Sequence, residues 1–429
     1  MLTTSLLRIM LTRSFRPFVF ENQARPLAYQ GLPQLGLYVH IPFCRTLCNF
    51  CPYCRVPYEP EAAADYRQAL LAEIDLVGQS MATHRQVVTS LYFGGGTPAT
   101  MIDHLGEIVE RLRLYFEING GIGCELHPDD LIPENITKLL EAGITMVSVG
   151  IQSFDPGCLE QLGRQNDSFA EKIAMLRDSR LEVIDVDLIF GLPGQTETSL
   201  KQDVLTAFAS GATQVSTYPF IDFSYADNRY GAASNHRQKE LMALLDRVGQ
   251  ENGLRRTAVW TFARPDTKRY SSVTRDHFLG FGLSATTLLH DQFKINTFSL
   301  EAYIDRLSGG FLPTSLTLTF KPRQRAAYDL FWAAYGLTVE NSRFAVNIGQ
   351  SIEAVFGFEV RLAILLGLVR RVPSCRDEAN PHNTNSDYGL TARGIWLYHR
   401  LEQHYTHAYI DRMWQVSREQ AFPEKIILR

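Results

Sequence analysis

The chain has 429 residues, 45% of them hydrophobic, which is enough to bury a sizeable core in one large domain with a smaller one beside it. A formal net charge of −4 gives no overall case for nucleic-acid binding. No apolar run approaches the roughly 20 residues that span a bilayer. Seven cysteines are an odd and sparse set for a secreted disulfide scaffold. We therefore expect neither a nucleic-acid partner nor a membrane span.

The N-terminal segment, residues 1–20, is basic and apolar. It carries Arg8, Arg13 and Arg16 but no acidic residue. This composition fits either an organelle-targeting peptide or a surface arm. We favour an arm packed along the barrel predicted below, and assign residues 1–35 to it.

A cysteine-rich loop follows a short apolar strand, Leu37–Ile41. Cys44, Cys48 and Cys51 have the spacing C-x3-C-x2-C. Three thiolates can hold three irons of a 4Fe–4S cluster and leave the fourth iron open for a chelating ligand. A zinc knot is the weaker interpretation, because zinc prefers four ligands, usually in two separated pairs. Cys54 would block the open iron if it were a ligand, so we interpret it as a non-ligand.

Strand and helix patterns alternate strictly from this strand onward. Compact apolar runs predict buried strands, and apolar residues at helical spacing predict the helices between them. The predicted strands are Leu37–Ile41, Val88–Phe93, Ile122–Leu126, Thr145–Ile151, Val183–Phe190 and Gln214–Tyr218. The predicted helices are Glu61–Gly78, Ile102–Phe116, Ile136–Ala142, Phe169–Leu176 and Glu197–Ala209.

Six strand–helix units in this order require parallel strands with right-handed crossovers. Because eight units close a full TIM-type barrel, six predict a partial (β/α)6 barrel, an α/β fold that stays open. In such barrels the chemistry collects at the carboxyl ends of the strands, an edge that we call the barrel mouth. We assign the barrel to residues 36–230.

The pattern loosens after the sixth predicted strand. A barrel extension, 231–320, is expected to hold the helix Arg237–Glu251, a strand near Thr257–Phe262 and the helix Glu301–Leu307. Residues 321–429 predict a smaller, mainly helical domain, with helices Ala326–Tyr335, Ser351–Leu366 and Leu390–His404 and a polar loop, Asp377–Asp387. This order, with a hairpin, predicts a winged-helix-like module. We interpret it as a lid or packing domain, because no basic helix stands out.

A run of glycines, Gly94-Gly95-Gly96-Thr97-Pro98, follows the second predicted strand. Glycines let backbone N–H groups approach a ligand closely, so this run predicts a small nest for an anion or a carboxylate. A plain tight turn is the simpler alternative.

Polar side chains follow the later strands at the same edge. Glu125 can accept hydrogen bonds from a ribose or an ammonium group, and Gln152 ends the next strand. Arg164 can donate two parallel hydrogen bonds to a carboxylate. Asp187 lies in an apolar strand, where a charge is costly without a partner, which favours ligand binding.

These segments resemble the radical S-adenosylmethionine (SAM) superfamily and, within it, the oxygen-independent coproporphyrinogen III oxidase-like, or HemN-like, family. The resemblance is carried by Tyr38-Val39-His40-Ile41-Pro42-Phe43-Cys44, the cysteine spacing and the glycine run, and it extends to about Ala285. It implies that Cys44, Cys48 and Cys51 ligate the cluster. It also implies that the cleaved SAM contacts Tyr38, Gly95 and Glu125, with the methionine amino group bound at the glycine run.

The resemblance also implies a possible second SAM. By motif match, this molecule would contact Phe50, Gly96, Thr97, Gln152, Arg164, Asp187, Ile221 and Thr286. Family members cleave SAM reductively to a 5′-deoxyadenosyl radical, which abstracts hydrogen from the substrate. The expected reaction is oxidative decarboxylation of a coproporphyrinogen-like tetrapyrrole in haem biosynthesis. A methyltransferase or cyclopropanase that uses two SAM molecules is an alternative, and a haem chaperone or haem-degrading relative is a third.

Two sets of residues bear on the substrate. Propionate groups would need basic partners at the mouth, for which the candidates are Arg164, Arg264, Lys268 and Arg269. Haem would need an iron ligand, for which the candidates are His40, His127, His277 and His290. The segment Phe20–Gly31 lacks the N-terminal motif of the oxidases proper. We expect a small-molecule substrate, a flavodoxin- or ferredoxin-type electron donor, a monomer and, since thiolate clusters need a reducing compartment, a cytoplasmic location.

Overall fold

The computed structural model describes residues 2–79, 85–165, 168–223, 231–268, 270, 276–374 and 386–428. Within these ranges a fourteen-stranded sheet runs through the molecule, with seven parallel strands at its centre. In chain order they are β1 Leu35–Ile41, β2 Ser90–Gly95, β3 Ile122–Leu126, β4 Met146–Gln152, β5 Val183–Phe190, β6 Gln214–Pro219 and β7 His277–Phe281.

Strands β1 to β6 confirm the six predicted strands and the partial barrel. They lie in the order β6-β5-β4-β3-β2-β1, and β7 continues the parallel sheet beside β1. The helices between and after them are Pro60–Gln79, Leu105–Arg113, Pro133–Glu141, Pro156–Gln161, Phe169–Arg177, Glu197–Ser210 and Asn235–Glu251, with 3-10 turns at Pro98–His104 and Pro128–Asp130. The apolar runs of the strands form the core, in which Val39, Phe93 and Val147 are fully buried.

One predicted helix was wrong in part. The segment Ile102–Phe116 divides into the 3-10 turn, the helix Leu105–Arg113 and a short strand, Phe116–Ile118, paired in parallel with Gln86–Val88. The backbone leaves helical geometry at Met101, with φ −119° and ψ 30°. The Phe116 ring is fully buried, so packing overrides helical spacing there.

Antiparallel strands extend the sheet beyond both sides of the parallel centre. The segment predicted as one strand, Thr257–Phe262, forms a hairpin of two strands, Arg255–Ala258 and Thr261–Ala263. The chain reverses at Val259, whose N–H donates a hydrogen bond to the Tyr335 carbonyl. Beyond β7 the sheet continues through Thr286–Leu288, Gln292–Asn296, Thr314–Thr319, Phe18–Glu21 and Lys425–Leu428, with the helix Leu300–Ser308 before the third of these.

The N-terminal arm therefore has two parts. Its strand, Phe18–Glu21, pairs with the C-terminal strand Lys425–Leu428 at the end of the sheet. Its helix, Leu2–Thr12, packs mainly on three helices of the C-terminal region. The arm was predicted to pack along the barrel, and the main contacts of this helix are with the C-terminal region instead.

The C-terminal region has the predicted winged-helix-like order. The elements are Pro322–Tyr335, Thr338–Val339, Asn341–Ile348, Ile352–Leu365, Val369–Val372, Asp387–Leu390 and Ala392–Glu419, and the three strands form a small sheet of their own. Most of the predicted polar loop lies outside the described residues. The last helix, which we call the C-terminal helix, runs well past the predicted end at His404, because Met413 and Trp414 bury their side chains further along it. The division at residues 35, 230 and 320 remains a proposal.

No helix in the described ranges is long and apolar enough to cross a membrane.

Tyr66 ties β1 to the turn after β7. It lies in the helix Pro60–Gln79 and is fully buried. Its hydroxyl donates to the His40 carbonyl at 2.6 Å and accepts from the Leu283 N–H at 3.1 Å. The start of the cysteine loop is thereby fixed to the extension of the sheet.

We expect Tyr66→Phe to lower the free energy of unfolding by about 2 kcal/mol, because two buried backbone groups lose their partner. Denaturant titration measures this change. Tyr58→Phe is the matched control, since Tyr58 and Tyr66 both set an edge-on ring against Phe43 but Tyr58 is only half-buried. Equal stability losses in the two variants would contradict the assignment.

Candidate active site at the barrel mouth

The cysteine loop is closed at its base by two short strands, Phe43–Cys44 and Val56–Pro57, which pair in parallel. Cys44 is buried, and Cys48 and Cys51 are half-buried. All three are free thiols. The fold thus presents them on one constrained loop directly after the carboxyl end of β1.

Donors from other parts of the barrel point at two of the sulfurs. The Thr97 hydroxyl donates to the Cys44 Sγ at 3.7 Å, and the Arg164 Nη2 donates to the Cys48 Sγ at 3.4 Å. The Arg164 Nε is buried and has no hydrogen-bond partner among the described residues. Hydrogen bonds from charged donors are stronger to an anion than to a neutral group. These surroundings fit a set of anionic thiolate ligands.

The three thiols fit a cluster better than a single metal ion. Burial raises the pKa of Cys51 to about 11 and also raises that of Cys44, while the Arg55 guanidinium acts in the opposite direction on both. Ligation must therefore displace thiol protons. In the part of the chain that the structure describes, no three Cys, His, Asp or Glu side chains converge on one metal ion. Three thiolates that each bind a different iron of a cluster have no need to converge.

Cys54 is directed elsewhere. Its side chain is buried, with the Sγ 4.0 Å from the Phe298 carbonyl in the barrel extension. Its own carbonyl accepts a hydrogen bond from the His40 Nε2 at 2.9 Å. Burial raises the pKa of the Cys54 thiol to about 12. The thiol is thus held in an environment that disfavours a thiolate.

The glycine run lets two backbone segments meet at the mouth. Gly95 has φ +123°, and a Cβ there would lie 2.8 Å from the His40 ring. A Cβ on Gly96 would lie 2.6 Å from the Pro42 carbonyl oxygen. Larger residues would push β2 away from the cysteine loop.

The predicted N–H nest was wrong. The N–H of Gly95 donates to the Glu125 Oε2 at 3.0 Å, and those of Gly96 and Thr97 donate to the carbonyls of Ile41 and Phe43 at 2.8 Å. Those donors are already used within the protein. An ammonium group needs acceptors, so an amine bound here would have to use oxygen atoms and not these N–H groups.

Glu125 is fixed by its neighbours on β2. It accepts from the Tyr92 hydroxyl at 3.1 Å as well as from Gly95. Burial raises the pKa of the carboxyl above its usual range. Sequence reasoning missed Tyr92, although the alternation of side chains along β2 places it on the same face as Gly94.

Tyr38 and His40 form a polar pair on β1. The Cys54 carbonyl can only accept, so the His40 Nε2 carries the proton and the Nδ1 accepts from the Tyr38 hydroxyl at 2.9 Å. Burial lowers the pKa of His40 to about 4, which keeps the ring neutral. Tyr38 also stacks on Tyr92, with the ring centroids 6.4 Å apart.

A kink at the end of β4 brings Gln152 and Arg164 together. Gln152 has φ +71°, which is rare for a residue with a side chain, and the pairing of β4 with β5 shifts register beside it. A Cβ added to Gly150 would lie 2.8 Å from the Gln152 Nε2. The Arg164 Nη1 donates to the Gly150 carbonyl.

Asp187 is the half-buried acid on β5. It accepts from the Ser148 hydroxyl at 2.8 Å. Burial, with a contribution from the neighbouring Asp185, raises its pKa well above the usual range. The polar partner expected from the sequence is thus a hydroxyl, which sequence reasoning did not identify.

The remaining predicted contacts border the same region. Phe50 lies under the Arg164 guanidinium, 5.4 Å from ring centroid to Cζ, and packs against a small buried cluster that includes Phe220. Ile221 is half-buried just beyond β6. Thr286 begins the strand beside β7, and a Cβ on Gly280 would lie 2.1 Å from its carbonyl oxygen.

Two of the four predicted basic partners lie at the wrong end of the barrel. Arg264 donates to the carbonyls of Phe208 and Ala212, just before β6 begins. Lys268 pairs with Glu182, which precedes β5, at 2.8 Å. Both therefore lie at the amino ends of the strands, away from the mouth, while Arg269 is outside the described residues.

The structure does not bring the four candidate histidines together. His40 uses both ring nitrogens within the protein. His277 lies at the amino end of β7, opposite Leu35. His290 is exposed, and the His127 Nδ1 accepts from the Asp129 N–H at 3.2 Å. A shared haem-iron site built from them is not supported.

Comparison with known proteins agrees with this geometry. The radical SAM superfamily model matches residues 38–207. The chain is 25% identical over 378 residues to the heme chaperone HemW of Bacillus subtilis, covering 84% of this chain and 96% of that protein. It is 25% identical over 319 residues to the oxygen-independent coproporphyrinogen III oxidase of Paracoccus denitrificans, covering 68% and 70%.

The solved coproporphyrinogen III oxidase HemN of Escherichia coli has the same fold. Its TM-score to this chain is 0.74, at 20% identity, over 93% of this chain and 98% of that one. The barrel and the cysteine loop thus define a radical SAM domain, which implies a 4Fe–4S cluster, SAM and a reductant. Residues 38–207 are a radical SAM domain, and the relatives of the chain are HemN-like proteins, as its sequence motifs predicted.

Proposed function

We propose that the chain is a radical SAM enzyme that acts on a porphyrinoid, with oxidative decarboxylation of a coproporphyrinogen-like tetrapyrrole in haem biosynthesis as its reaction. The observation that carries this proposal is the mouth itself, where the cysteine loop, the Arg164 donor to Cys48 and the Glu125–Gly95 contact all meet. The oxidases among the relatives support the substrate class.

In this proposal Cys44, Cys48 and Cys51 hold the cluster. When bound, the cluster supplies the electron that cleaves SAM. Thr97 and Arg164 stabilise the thiolates by donating hydrogen bonds to sulfur. Cys54 is not a ligand, and its burial beside Phe298 supports that assignment.

The cleaved SAM would be held by Tyr38, Gly95 and Glu125. Each is fixed before any ligand arrives: Tyr38 by His40, and Glu125 by Gly95 and Tyr92. Preorganised groups lose little freedom when the ligand binds. A methionine amino group would find acceptors here, in keeping with the donors of the glycine run being already used.

A second SAM is proposed only in outline. Its contacts would be Phe50, Gly96, Thr97, Gln152, Arg164, Asp187, Ile221 and Thr286, which surround the same mouth. Thr97 is the weakest of them, because its hydroxyl and its N–H both have partners in the cysteine loop. Methyl transfer with two SAM molecules stays an alternative without a specific observation in its favour.

A haem chaperone is the second candidate function. It is favoured by the similarity to HemW, which extends over 84% of the chain. Haem iron takes one or two axial ligands, and among the four histidines His127 is the candidate, because it directly follows the carboxyl end of β3 whereas His40 already uses both ring nitrogens. We further propose a reducing, cytoplasmic location and a flavodoxin- or ferredoxin-type reductant, since the thiolates must stay reduced.

Product analysis separates the two functions. We would reconstitute the protein anaerobically with iron and sulfide, add dithionite and SAM, and supply coproporphyrinogen III, haem or no substrate. The proposal predicts 5′-deoxyadenosine together with loss of carboxyl groups from coproporphyrinogen III. Haem retention without SAM cleavage would instead support the chaperone, and S-adenosylhomocysteine would indicate methyl transfer.

A further inference from the structure

Tyr53 is an exposed aromatic residue two positions after Cys51. Its relative exposure is 58%, although the residues on either side of it are held firmly. The Trp414 Nε1 donates to the Pro52 carbonyl at 2.7 Å, and the His40 Nε2 donates to the Cys54 carbonyl at 2.9 Å. The backbone that carries Tyr53 is therefore fixed from both the C-terminal helix and β1.

The fixed backbone decides where the ring points. The Cys54 side chain turns into the core toward Phe298. Tyr53 is not part of that core, and its ring remains open to water. The ring thus stands at the mouth beside the cysteine loop and does not pack inside the protein.

Acidic groups of the barrel and of the C-terminal helix act on the Tyr53 hydroxyl. The pKa of Tyr53 is raised above its usual range, first by desolvation and then by the negative charges of Glu125, Cys51, Asp187 and Glu402. Glu125 and Asp187 lie on the barrel, whereas Glu402 lies on the C-terminal helix. We call the space between the barrel mouth and the C-terminal helix the chamber.

The C-terminal helix forms the outer wall of this chamber. Besides Trp414, its His407 contacts the Asp222 carbonyl at 3.0 Å, beyond the end of β6. Glu402 lies between these anchors and His399, which packs against the Phe190 ring at the end of β5. The helix thus spans the mouth from the last barrel strands to the cysteine loop.

We propose that Tyr53 is a substrate-binding residue, whose ring packs face to face against a pyrrole ring of a tetrapyrrole held between the barrel mouth and the C-terminal helix. The inference rests on the proposed function and identifies Tyr53 as a residue that contacts the substrate. The flat face of a tyrosine ring can stack on the flat pyrrole ring, and this contact does not depend on the side groups of the pyrrole. The position beside Cys51 puts the bound pyrrole next to the cluster.

The test is equilibrium binding of metal-free coproporphyrin III to the reconstituted protein, followed by the porphyrin absorbance. We expect Tyr53→Phe to bind like the wild type and Tyr53→Leu, which keeps most of the volume but loses the flat face, to bind about tenfold more weakly. Phe15→Ala is the matched control, because Phe15 is 85% exposed on the N-terminal arm. Iron content and SAM binding should be unchanged in all three variants.

The possible outcomes separate the two proposals. Porphyrin binding by Tyr53→Leu equal to that of the wild type, with the cluster intact, would overturn the role of Tyr53 and leave the proposed function standing. Weak binding by Tyr53→Phe would show that the hydroxyl and not the ring face matters, which also overturns it. If the wild-type protein neither binds coproporphyrin III nor decarboxylates coproporphyrinogen III, the porphyrinoid function itself fails.

Discussion

Cys48→Ala is expected to abolish both the brown absorbance of the reconstituted cluster and all SAM cleavage. Cys48 is the thiol that accepts the Arg164 hydrogen bond, and a cluster that loses one of three protein ligands is left with two. Cys44 and Cys51 should be equally sensitive. Iron and sulfide content after anaerobic reconstitution, with 5′-deoxyadenosine measured in the same samples, provides the readout.

Cys54→Ala is the matched control, because it removes a thiol from the same loop. Its buried side chain turns toward Phe298, so the variant should keep full iron content. Loss of the cluster in Cys54→Ala would refute the assignment of ligands. So would retention of the cluster in Cys48→Ala.

Glu125→Gln should weaken SAM binding by about 10- to 100-fold, the range expected when one hydrogen bond to a charged group is lost. The Glu125 carboxylate accepts from both Gly95 and the Tyr92 hydroxyl. A glutamine has only one acceptor oxygen, so its NH2 group would face one of these donors. The glycine run would then lose its fixed position beside the cysteine loop.

Equilibrium dialysis with labelled SAM on the reconstituted protein measures this loss. Glu117→Gln is the control, since Glu117 is an exposed acid that contacts Asn119 on the outside of the fold. The control should bind SAM normally. Unchanged SAM affinity in Glu125→Gln, with normal iron content, would show that Glu125 does not shape the SAM site.

The sequence was most informative where local pattern and burial agree. The strand Val183–Phe190 is apolar except for Asp185 and Asp187, and β5 has those bounds. The helix predicted to end at Ala142 ends at Glu141, and Gly143 follows with φ +84°, a conformation that favours glycine. Spacing also brought the cysteines, Glu125 and Arg164 to one edge, because parallel strands have their carboxyl ends on the same side.

Contacts between distant segments account for the predictions that were wrong. Nothing in the sequence near Arg264 and Lys268 tells which end of the barrel they reach, and both lie at the amino ends. The hairpin at Val259 depends on a hydrogen bond to Tyr335 across 76 residues. The sequence around Tyr53 does not distinguish it from other aromatic residues in loops. Its position became apparent only from the contact of Trp414, on the C-terminal helix, with the neighbouring Pro52.

The central claim is that a 5′-deoxyadenosyl radical formed at the barrel mouth abstracts hydrogen from a tetrapyrrole. The most direct test is anaerobic turnover with coproporphyrinogen III deuterated on its propionate side chains, with the 5′-deoxyadenosine analysed by mass spectrometry. The account predicts that deuterium appears in 5′-deoxyadenosine and that carboxyl groups are lost from the tetrapyrrole. Formation of 5′-deoxyadenosine without deuterium, with the tetrapyrrole unchanged, would contradict it.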